Sequence, residues 1–317
     1  MKALPFLPPL LRQPCPRNAW LSSALLRATA LELVVLAGHA LLYPTGIAGE
    51  RRTPSRPADG LVPAPSGTAG PATGTTKNTK NTKNTKNTKS SRNPGSAGSA
   101  GNTAHTDRPP VVLLHGFIDN RSVFVLLRRS LARHGWRHLE SLNYSPLTCD
   151  IRTAAELLGR HVEEICARTG HREVDIVGHS LGGLIARYYV QRLGGDRRVR
   201  TLVTLGTPHA GTAVAPLAGA HPIVRQMRSG SAPIEELRLP APGCRTRFVS
   251  FWSELDQVIV PAEAACIDHP DLDVTNVRVS GIGHLALPVH PAVAARIRQA
   301  LDAHETAREA GGAASVA

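Results

Sequence analysis

Gly178, Ser180 and Gly182 form the pattern G-x-S-x-G near the middle of the chain. A short apolar run precedes Gly178 and helix-forming residues resume after Gly183, so the pattern predicts Ser180 on a tight turn from a buried strand into a helix. Such a turn exposes the serine hydroxyl in front of the free N–H groups of the helix start, which favour negative charge. The chemistry expected here is nucleophilic attack by Ser180. An ordinary glycine-flanked turn is the alternative interpretation.

A serine hydroxyl becomes a good nucleophile when an imidazole takes its proton, and a carboxylate must orient that imidazole. Two candidate carboxylates, Glu254 and Asp256, follow a predicted strand that ends at Trp252. We favour Asp256 because it begins the turn into the apolar residues 258–261 and because its shorter side chain is oriented more tightly.

His284 is the predicted base among the 14 histidines of the chain. It follows the last predicted strand, and Gly281 and Gly283 allow its loop to curl over the serine. His290 is the second candidate, although it is placed like a residue at a helix start. His179, next to the nucleophile, is expected to pack against neighbouring strands.

Attack on an ester creates an oxyanion, which backbone N–H donors must stabilise. The N–H of Leu181, directly after the nucleophile, is one expected donor. The second is expected from the loop after the first strand of the domain, where the Phe117 N–H is our choice. Gly116 permits the turn of that loop, and His115 is expected to orient it by hydrogen bonding.

These residues require a scaffold of alternating strands and helices. Continuous apolar strands separated by helices indicate a doubly wound, mostly parallel sheet with helices on both faces and the carboxyl ends of its strands at one edge. The predicted strands cover 109–117, 137–142, 173–177, 199–205, 245–252 and 274–279, and helices are predicted at 123–134, at 151–167, after Gly183 and at 291–303.

Five motifs together resemble bacterial lipases and esterases of the α/β-hydrolase fold, of the kind found in actinomycetes. They are Val-Leu-Leu-His-Gly-Phe at 112–117, Val-Gly-His-Ser-Leu-Gly-Gly at 177–183, Leu-Gly-Thr-Pro-His-Ala-Gly-Thr at 205–212, Ser-Glu-Leu-Asp at 253–256 and Gly-His at 283–284. The likeness covers about residues 109–300. It implies hydrolysis of carboxylic esters, often of lipids or acylglycerols, through an acyl-serine and without a metal or organic cofactor.

The resemblance leaves the substrate open. An acyltransferase would use the same three side chains with an alcohol in place of water, and a peptidase, a thioesterase or a catalytically silent binding protein of this fold are further alternatives. Residues 213–243 form a short insert where such enzymes place a lid, and plain surface packing is the alternative there.

The chain carries a formal net charge of +13, unevenly spread. Residues 1–107 hold 13 Lys and Arg against 4 Asp and Glu, a net charge of +9, whereas 108–317 hold 24 against 20. Aromatic residues are scarce and no nucleic-acid recognition motif occurs, so we expect no nucleic-acid partner. The basic region is expected either to contact an anionic membrane or cell surface or to stay solvated. We expect a monomer.

We divide the chain into an N-terminal apolar segment 1–49, a linker 50–107 and a catalytic domain 108–317. Basic residues followed by an apolar stretch suggest an export signal or a signal anchor, but Arg27, Glu32 and His39 interrupt that stretch. A helix at the membrane interface and a helix docked on the protein's own surface are the alternatives. The linker, with its Thr-Lys-Asn repeat, cannot bury apolar surface and is expected to be disordered.

The five cysteines show no metal-ligand spacing. Cys244 and Cys266 flank a predicted strand and the loop after it, and could form a disulfide if the protein is exported. Secretion or membrane anchoring with an extracellular catalytic domain is the expected localisation, with the cytoplasm as the alternative.

Overall fold

The computed structural model describes residues 26–27, 29–38, 41, 108–117, 119–144, 150–213 and 221–313, apart from the side chains of 304–313. The predicted linker 50–107 and two of the five cysteines, Cys15 and Cys149, lie outside the described residues. The described residues of 1–49 group with the C-terminal domain in one compact unit.

Six strands of the described residues form one sheet in which every pairing is parallel. Its order is β2-β1-β3-β4-β5-β6, so the chain goes from β1 to the edge strand β2, crosses back past β1 to β3 and continues to the opposite edge at β6. The doubly wound parallel sheet predicted above is confirmed. The strands are β1 (Val111–Leu114), β2 (Leu139–Leu142), β3 (Val174–His179), β4 (Val199–Leu205), β5 (Arg247–Trp252) and β6 (Asp273–Arg278).

Helices cover both faces of the sheet. One core cluster packs α3 and α4 on one face, and a second packs α2 and α7 on the other. The strands β1, β3 and β4 are buried along their whole length, which explains their continuous apolar character. The helices are α1 (helical residues 26–27, 29–38 and 41), α2 (Val125–Arg133), α3 (Ile151–Thr169), α4 (Leu181–Arg192), α5 (Pro222–Gln226), α6 (Ala232–Glu236) and α7 (Pro291–Ala313).

The ends of α3 follow from local sequence signals. The Asp150 side chain accepts a hydrogen bond from the Thr153 N–H at 2.7 Å and caps the first turn. Gly170 adopts a left-handed conformation with φ 76° and ends the helix. The helix therefore runs close to its predicted range of 151–167, whereas α7 extends ten residues beyond the predicted end at 303.

A buried ion pair ties the sheet to the last helix. The Arg200 guanidinium donates to both carboxylate oxygens of Asp175, at 3.0 and 2.6 Å, and also to the Leu301 carbonyl at 3.1 Å. Both charged side chains are almost fully buried. The pair joins β3, β4 and α7 at one point.

The described part of the 213–243 insert is packed into the domain. Ile223, Ile234 and Leu237 are fully buried in the same core cluster as α3 and α4. Gln226 also caps α3, because its side-chain oxygen accepts from the Ile151 N–H at 2.9 Å. The insert thus packs against the domain from residue 221 onward, and residues 214–220 lie outside the described residues.

Cys244 and Cys266 are free, so the disulfide considered for them is not formed. The Ala265 carbonyl, next to Cys266, accepts from the Ser250 hydroxyl in the middle of β5, whereas Cys244 lies before the strand begins. Cys266 therefore follows a residue that contacts the middle of β5, whereas Cys244 precedes the first residue of that strand.

The helix α1 docks on the domain. Leu31 and Val35 pack against the core cluster that contains α2 and α7, and the Gln257 side chain donates to the Thr29 hydroxyl at 3.1 Å. No helix among the described residues is long and apolar enough to cross a membrane. These contacts match the interpretation of a helix docked on the protein's own surface.

Candidate active site

Ser180 lies in a strained turn between β3 and α4. Its backbone angles are φ 51° and ψ −120°, and no other non-glycine residue in the described part of the chain has a positive φ. The turn is held on both sides, since the Ser180 N–H donates to the Leu205 carbonyl at 2.9 Å and its carbonyl accepts from the Thr207 hydroxyl at 3.0 Å. Strain of this kind is typical of functional sites.

The glycines around Ser180 are required by close backbone approach. A Cβ at Gly178 would lie 2.5 Å from the Gly183 Cα, and one at Gly182 would lie 2.4 Å from the Leu114 carbonyl oxygen. At Gly183, which lies outside the G-x-S-x-G pattern, a Cβ would lie 2.0 Å from the Thr207 hydroxyl oxygen. The three glycines thus let the start of α4 pack directly on the ends of β1 and β4.

Asp256 and His284 form a buried hydrogen-bonded pair. Nδ1 of His284 donates to Oδ2 of Asp256 at 2.8 Å. The other carboxylate oxygen accepts the N–H groups of Val258 and Ile259, both at 2.9 Å. Glu254 instead pairs with Arg278 at 2.8 Å on the protein surface, so the structure brings Asp256, and not Glu254, to the imidazole.

Each member of this pair stabilises the charged form of the other. Burial alone raises the pKa of Asp256, but attraction to His284 and the three hydrogen bonds more than offset it, so the pKa lies below its usual value. Burial alone lowers the pKa of His284. The negative charges of Asp256, Asp119 and Glu32 together with the Asp256 hydrogen bond reverse this, so the pKa of His284 lies above its usual value.

Gly206 brings this pair to the strand end beside Ser180. It has φ 52°, and a Cβ at this position would lie 2.9 Å from both Asp256 Oδ2 and His284 Nδ1. Gly206 directly follows Leu205, the residue that accepts the Ser180 N–H. The three predicted side chains therefore gather at the carboxyl ends of the adjacent strands β3, β4 and β5.

The loop after β1 lies against the same turn. A Cβ at Gly116 would lie 3.3 Å from the Ser180 Cβ, so the Gly116–Phe117 backbone passes close to the serine. Nδ1 of His115 lies 2.8 Å from the Gly116 carbonyl oxygen, and its ring stacks on Tyr144 at a centroid distance of 4.5 Å. Leu181 is the first residue of α4, where the N–H has no acceptor within the helix.

Solved structures with the same architecture decide the fold. The mature form of a Bacillus licheniformis lipase superposes with a TM-score of 0.54 and 17% identity, covering 62% of this chain and 93% of that one. An Aspergillus fumigatus lipase B superposes with a TM-score of 0.53 and 16% identity, covering 59% and 51%. This chain has the α/β-hydrolase fold.

Sequence comparisons match the part of the chain that carries the serine. A family model described as palmitoyl protein thioesterase matches residues 110–239. Triacylglycerol lipases from Pseudarthrobacter phenanthrenivorans and Burkholderia plantarii are each 30% identical over 115 residues. The match spans 34% of this chain and only about a third of either relative, 35% and 32% respectively.

His179 has more partners in the structure than the packing role predicted for it. Its Nδ1 lies 3.1 Å from Asp119 Oδ2, and its Nε2 lies 3.2 Å from the carbonyl oxygen of His284. Its ring also lies 4.8 Å from the His284 ring, centroid to centroid. His179 thus links the loop after β1 to the loop of the predicted base, and the sequence held no signal for Asp119.

His290, the second candidate base, caps the start of α7. Nδ1 of His290 accepts from the Ala292 N–H at 3.3 Å, directly before the first turn of α7. Within the described ranges no group of His, Cys, Asp and Glu side chains could hold a metal ion.

Proposed function

We propose that this protein is a serine hydrolase of carboxylic esters, with Ser180 as nucleophile, His284 as base and Asp256 as the residue that orients the base. The observation that carries the proposal is the 2.8 Å hydrogen bond from His284 Nδ1 to Asp256 Oδ2, beside the strained turn at Ser180. With Nδ1 engaged by the carboxylate, Nε2 is the ring nitrogen available to accept the serine proton.

In the acylation half-reaction, His284 Nε2 takes the Ser180 proton as the hydroxyl oxygen attacks the ester carbonyl carbon. The carbonyl oxygen becomes an oxyanion that accepts hydrogen bonds from the N–H groups of Phe117 and Leu181. The tetrahedral intermediate then collapses, the bond to the alcohol oxygen breaks, and the His284 imidazolium protonates the leaving alcohol. The acyl-serine is left.

In the deacylation half-reaction, His284 removes a proton from water as the water oxygen attacks the acyl carbon. The second tetrahedral intermediate uses the same two N–H donors. Its collapse breaks the bond to the serine oxygen, which regains a proton from His284, and the carboxylic acid leaves. Throughout, Asp256 holds the imidazole tautomer and stabilises its positive charge.

Lipid esters, including acylglycerols, are the proposed substrate class. The sequence relatives are triacylglycerol lipases. Esters of fatty acids with glycerol are therefore the first substrates to test. The experiment is turnover of p-nitrophenyl esters of increasing chain length and of triacylglycerol emulsions by the purified full-length chain. Hydrolysis that Ser180→Ala abolishes supports the proposal, whereas no turnover of any ester by the folded protein would contradict it.

Thioester hydrolysis is the second candidate, because the palmitoyl protein thioesterase model matches residues 110–239. The same serine chemistry cleaves a thioester, with a thiol as leaving group. A parallel assay with palmitoyl thioesters ranks the two candidates by kcat/KM. Adding glycerol as acceptor separates hydrolysis from acyl transfer, since a transferase would give a new ester in place of free acid.

We also propose that α1 associates with an anionic membrane surface. Leu26, Leu33, Val34 and Leu41 are exposed at helical spacing on the side of α1 away from the domain, with Leu41 81% exposed. The net charge of +9 in residues 1–107 favours anionic lipid.

Flotation with vesicles tests this association. The full chain should bind phosphatidylglycerol-containing vesicles and bind phosphatidylcholine vesicles weakly, and Leu33→Asp should release it. Leu239→Asp, an exposed leucine elsewhere on the domain, is the control. Equal binding by the two variants would contradict a role for α1.

For localisation we propose secretion or membrane anchoring with the catalytic domain outside the cytoplasm, supported by the basic and apolar character of residues 1–49. Fluorophosphonate labelling of intact cells with a membrane-impermeant probe tests this. Labelling of Ser180 only after cell lysis would instead place the domain in the cytoplasm.

A further inference from the structure

Glu32 of α1 contacts the loop that carries the predicted base. Its Oε2 accepts from the Leu285 N–H at 3.0 Å, and its Oε1 accepts from the Ala286 N–H at 3.1 Å. Both donors directly follow His284. Glu32 is the one acidic residue in the first 49 residues of the sequence, and it interrupts an otherwise apolar stretch. A helix needed only for apolar anchoring would gain nothing from this carboxylate.

Glu32 also lies close to Gly283, the residue directly before His284. A Cβ at Gly283 would lie 2.5 Å from Glu32 Oε1, so only a glycine allows the carboxylate to approach this far. On the same helix, Thr29 accepts from Gln257, which directly follows Asp256. The helix therefore touches both the loop of the predicted acid and the loop of the predicted base.

The two hydrogen bonds add to other contacts of the His284 loop, in which the Ser253 hydroxyl donates to the Ile282 carbonyl and Nε2 of His179 lies 3.2 Å from the His284 carbonyl oxygen. Gly281 has φ 74° and Gly283 has no side chain, so the backbone before His284 has little intrinsic preference for one conformation. A carboxylate that accepts two backbone N–H groups forms charge-assisted hydrogen bonds, which are stronger than neutral ones. The imidazole must be held within a fraction of an ångström to act as a base.

We propose that Glu32 is a positioning residue for His284, so that a helix from the N-terminal segment completes the active site. The inference rests on the proposed function, in which His284 is the base. The Glu32 carboxylate also adds negative charge near the His284 imidazole, as Asp256 and Asp119 do. The ring of His179, the last residue of β3, packs against the same imidazole. Removing the Glu32 charge should therefore lower the pKa of His284.

The experiment compares full-length Glu32→Ala, Glu32→Gln and Glu32→Asp with Glu163→Gln, which breaks a surface ion pair with Arg198. With a soluble short-chain ester, Glu32→Ala and Glu32→Gln should lower kcat roughly tenfold with little change in KM. The acid limb of kcat/KM should move to lower pH in both. Glu32→Asp should keep the acid limb in place, because it keeps the charge. Glu163→Gln should behave as the parent.

Hydrogen exchange provides a readout that does not depend on catalysis. The Leu285 and Ala286 amides should exchange about tenfold faster in Glu32→Ala than in Glu163→Gln, because their acceptor is gone. Unchanged exchange at these amides overturns the contact. Faster exchange with parental kcat and pH profile overturns the positioning role. If the parent itself turns over no ester while exchange responds to Glu32, then the proposed hydrolase function fails and the positioning role fails with it, but the docking contact stands.

Discussion

The Asp256 carboxylate divides its two oxygens between the imidazole of His284 and the backbone N–H groups of Val258 and Ile259. The two backbone contacts hold the carboxylate in one orientation without any help from the histidine. The imidazole is thus aligned by a group that the turn after β5 has itself immobilised.

Ser180→Ala should abolish turnover. Loss of the nucleophile removes the acyl-enzyme route, and we expect kcat to fall by roughly 10⁴-fold or more. Labelling by a fluorophosphonate should disappear as well, while the circular dichroism spectrum stays that of the parent. Labelling that persists in this variant would place the nucleophile at another residue.

Asp256→Asn should lower kcat by about 10³–10⁴-fold, because the imidazole loses its tautomer and its counter-charge. Glu254→Gln is the matched change two residues away and breaks the surface pair with Arg278. It should keep kcat within about twofold of the parent, as expected for an exposed ion pair. The opposite ranking in a steady-state ester assay would assign the acid to Glu254.

The pH profile should follow His284. The base acts in its neutral form, and the pKa of His284 lies above its usual value near 6.5. Activity should therefore rise as pH increases through a midpoint above that value and fall away in acid. The kcat/KM of a neutral ester, measured from pH 5 to 9, locates the midpoint, and a midpoint clearly below 6.5 would contradict the coupling to Asp256.

Gly206→Ala should impair catalysis more than stability. The new methyl group would meet Asp256 and His284 at 2.9 Å and push the pair apart, and we expect kcat to fall about 100-fold. Gly170→Ala is the control, because Gly170 also has a positive φ but nothing lies within 4 Å of the added Cβ. Both variants should lose about 1–2 kcal/mol of unfolding free energy, because a left-handed backbone brings Cβ too close to the following carbonyl oxygen. Equal kcat values would show that Gly206 does not support the pair.

Asp175→Asn should destabilise the whole domain by about 3–5 kcal/mol, because the Arg200 charge stays buried without its counter-ion. Urea unfolding followed by circular dichroism measures the loss. Glu163→Gln breaks the exposed pair with Arg198 and should cost only about 0–1 kcal/mol. If the two variants unfold at the same urea concentration, the buried pair does not stabilise the domain.

The candidate site could be predicted in part. The preference for Asp256 over Glu254 rested on turn placement and side-chain length, and the contact with His284 agrees with it. The catalytic roles of Ser180, Asp256, His284, Phe117 and Leu181 are still predictions until the variants are assayed. In the sequence, Gly206 only follows a predicted strand, since nothing in its own neighbourhood shows which side chains will pack on it.

Local patterns in the sequence determined the alternating strands and helices, the turn at Ser180 and the order of serine, acid and histidine, because periodicity and turn geometry depend on neighbouring residues. Tertiary structure alone decided which partners meet across the sheet edge: His179 with Asp119, Gly206 with the acid–base pair, and Glu32 with an N–H group 253 residues further along. These contacts depend on how distant elements pack. In the sequence, Glu32 is only a charge that interrupts an apolar stretch.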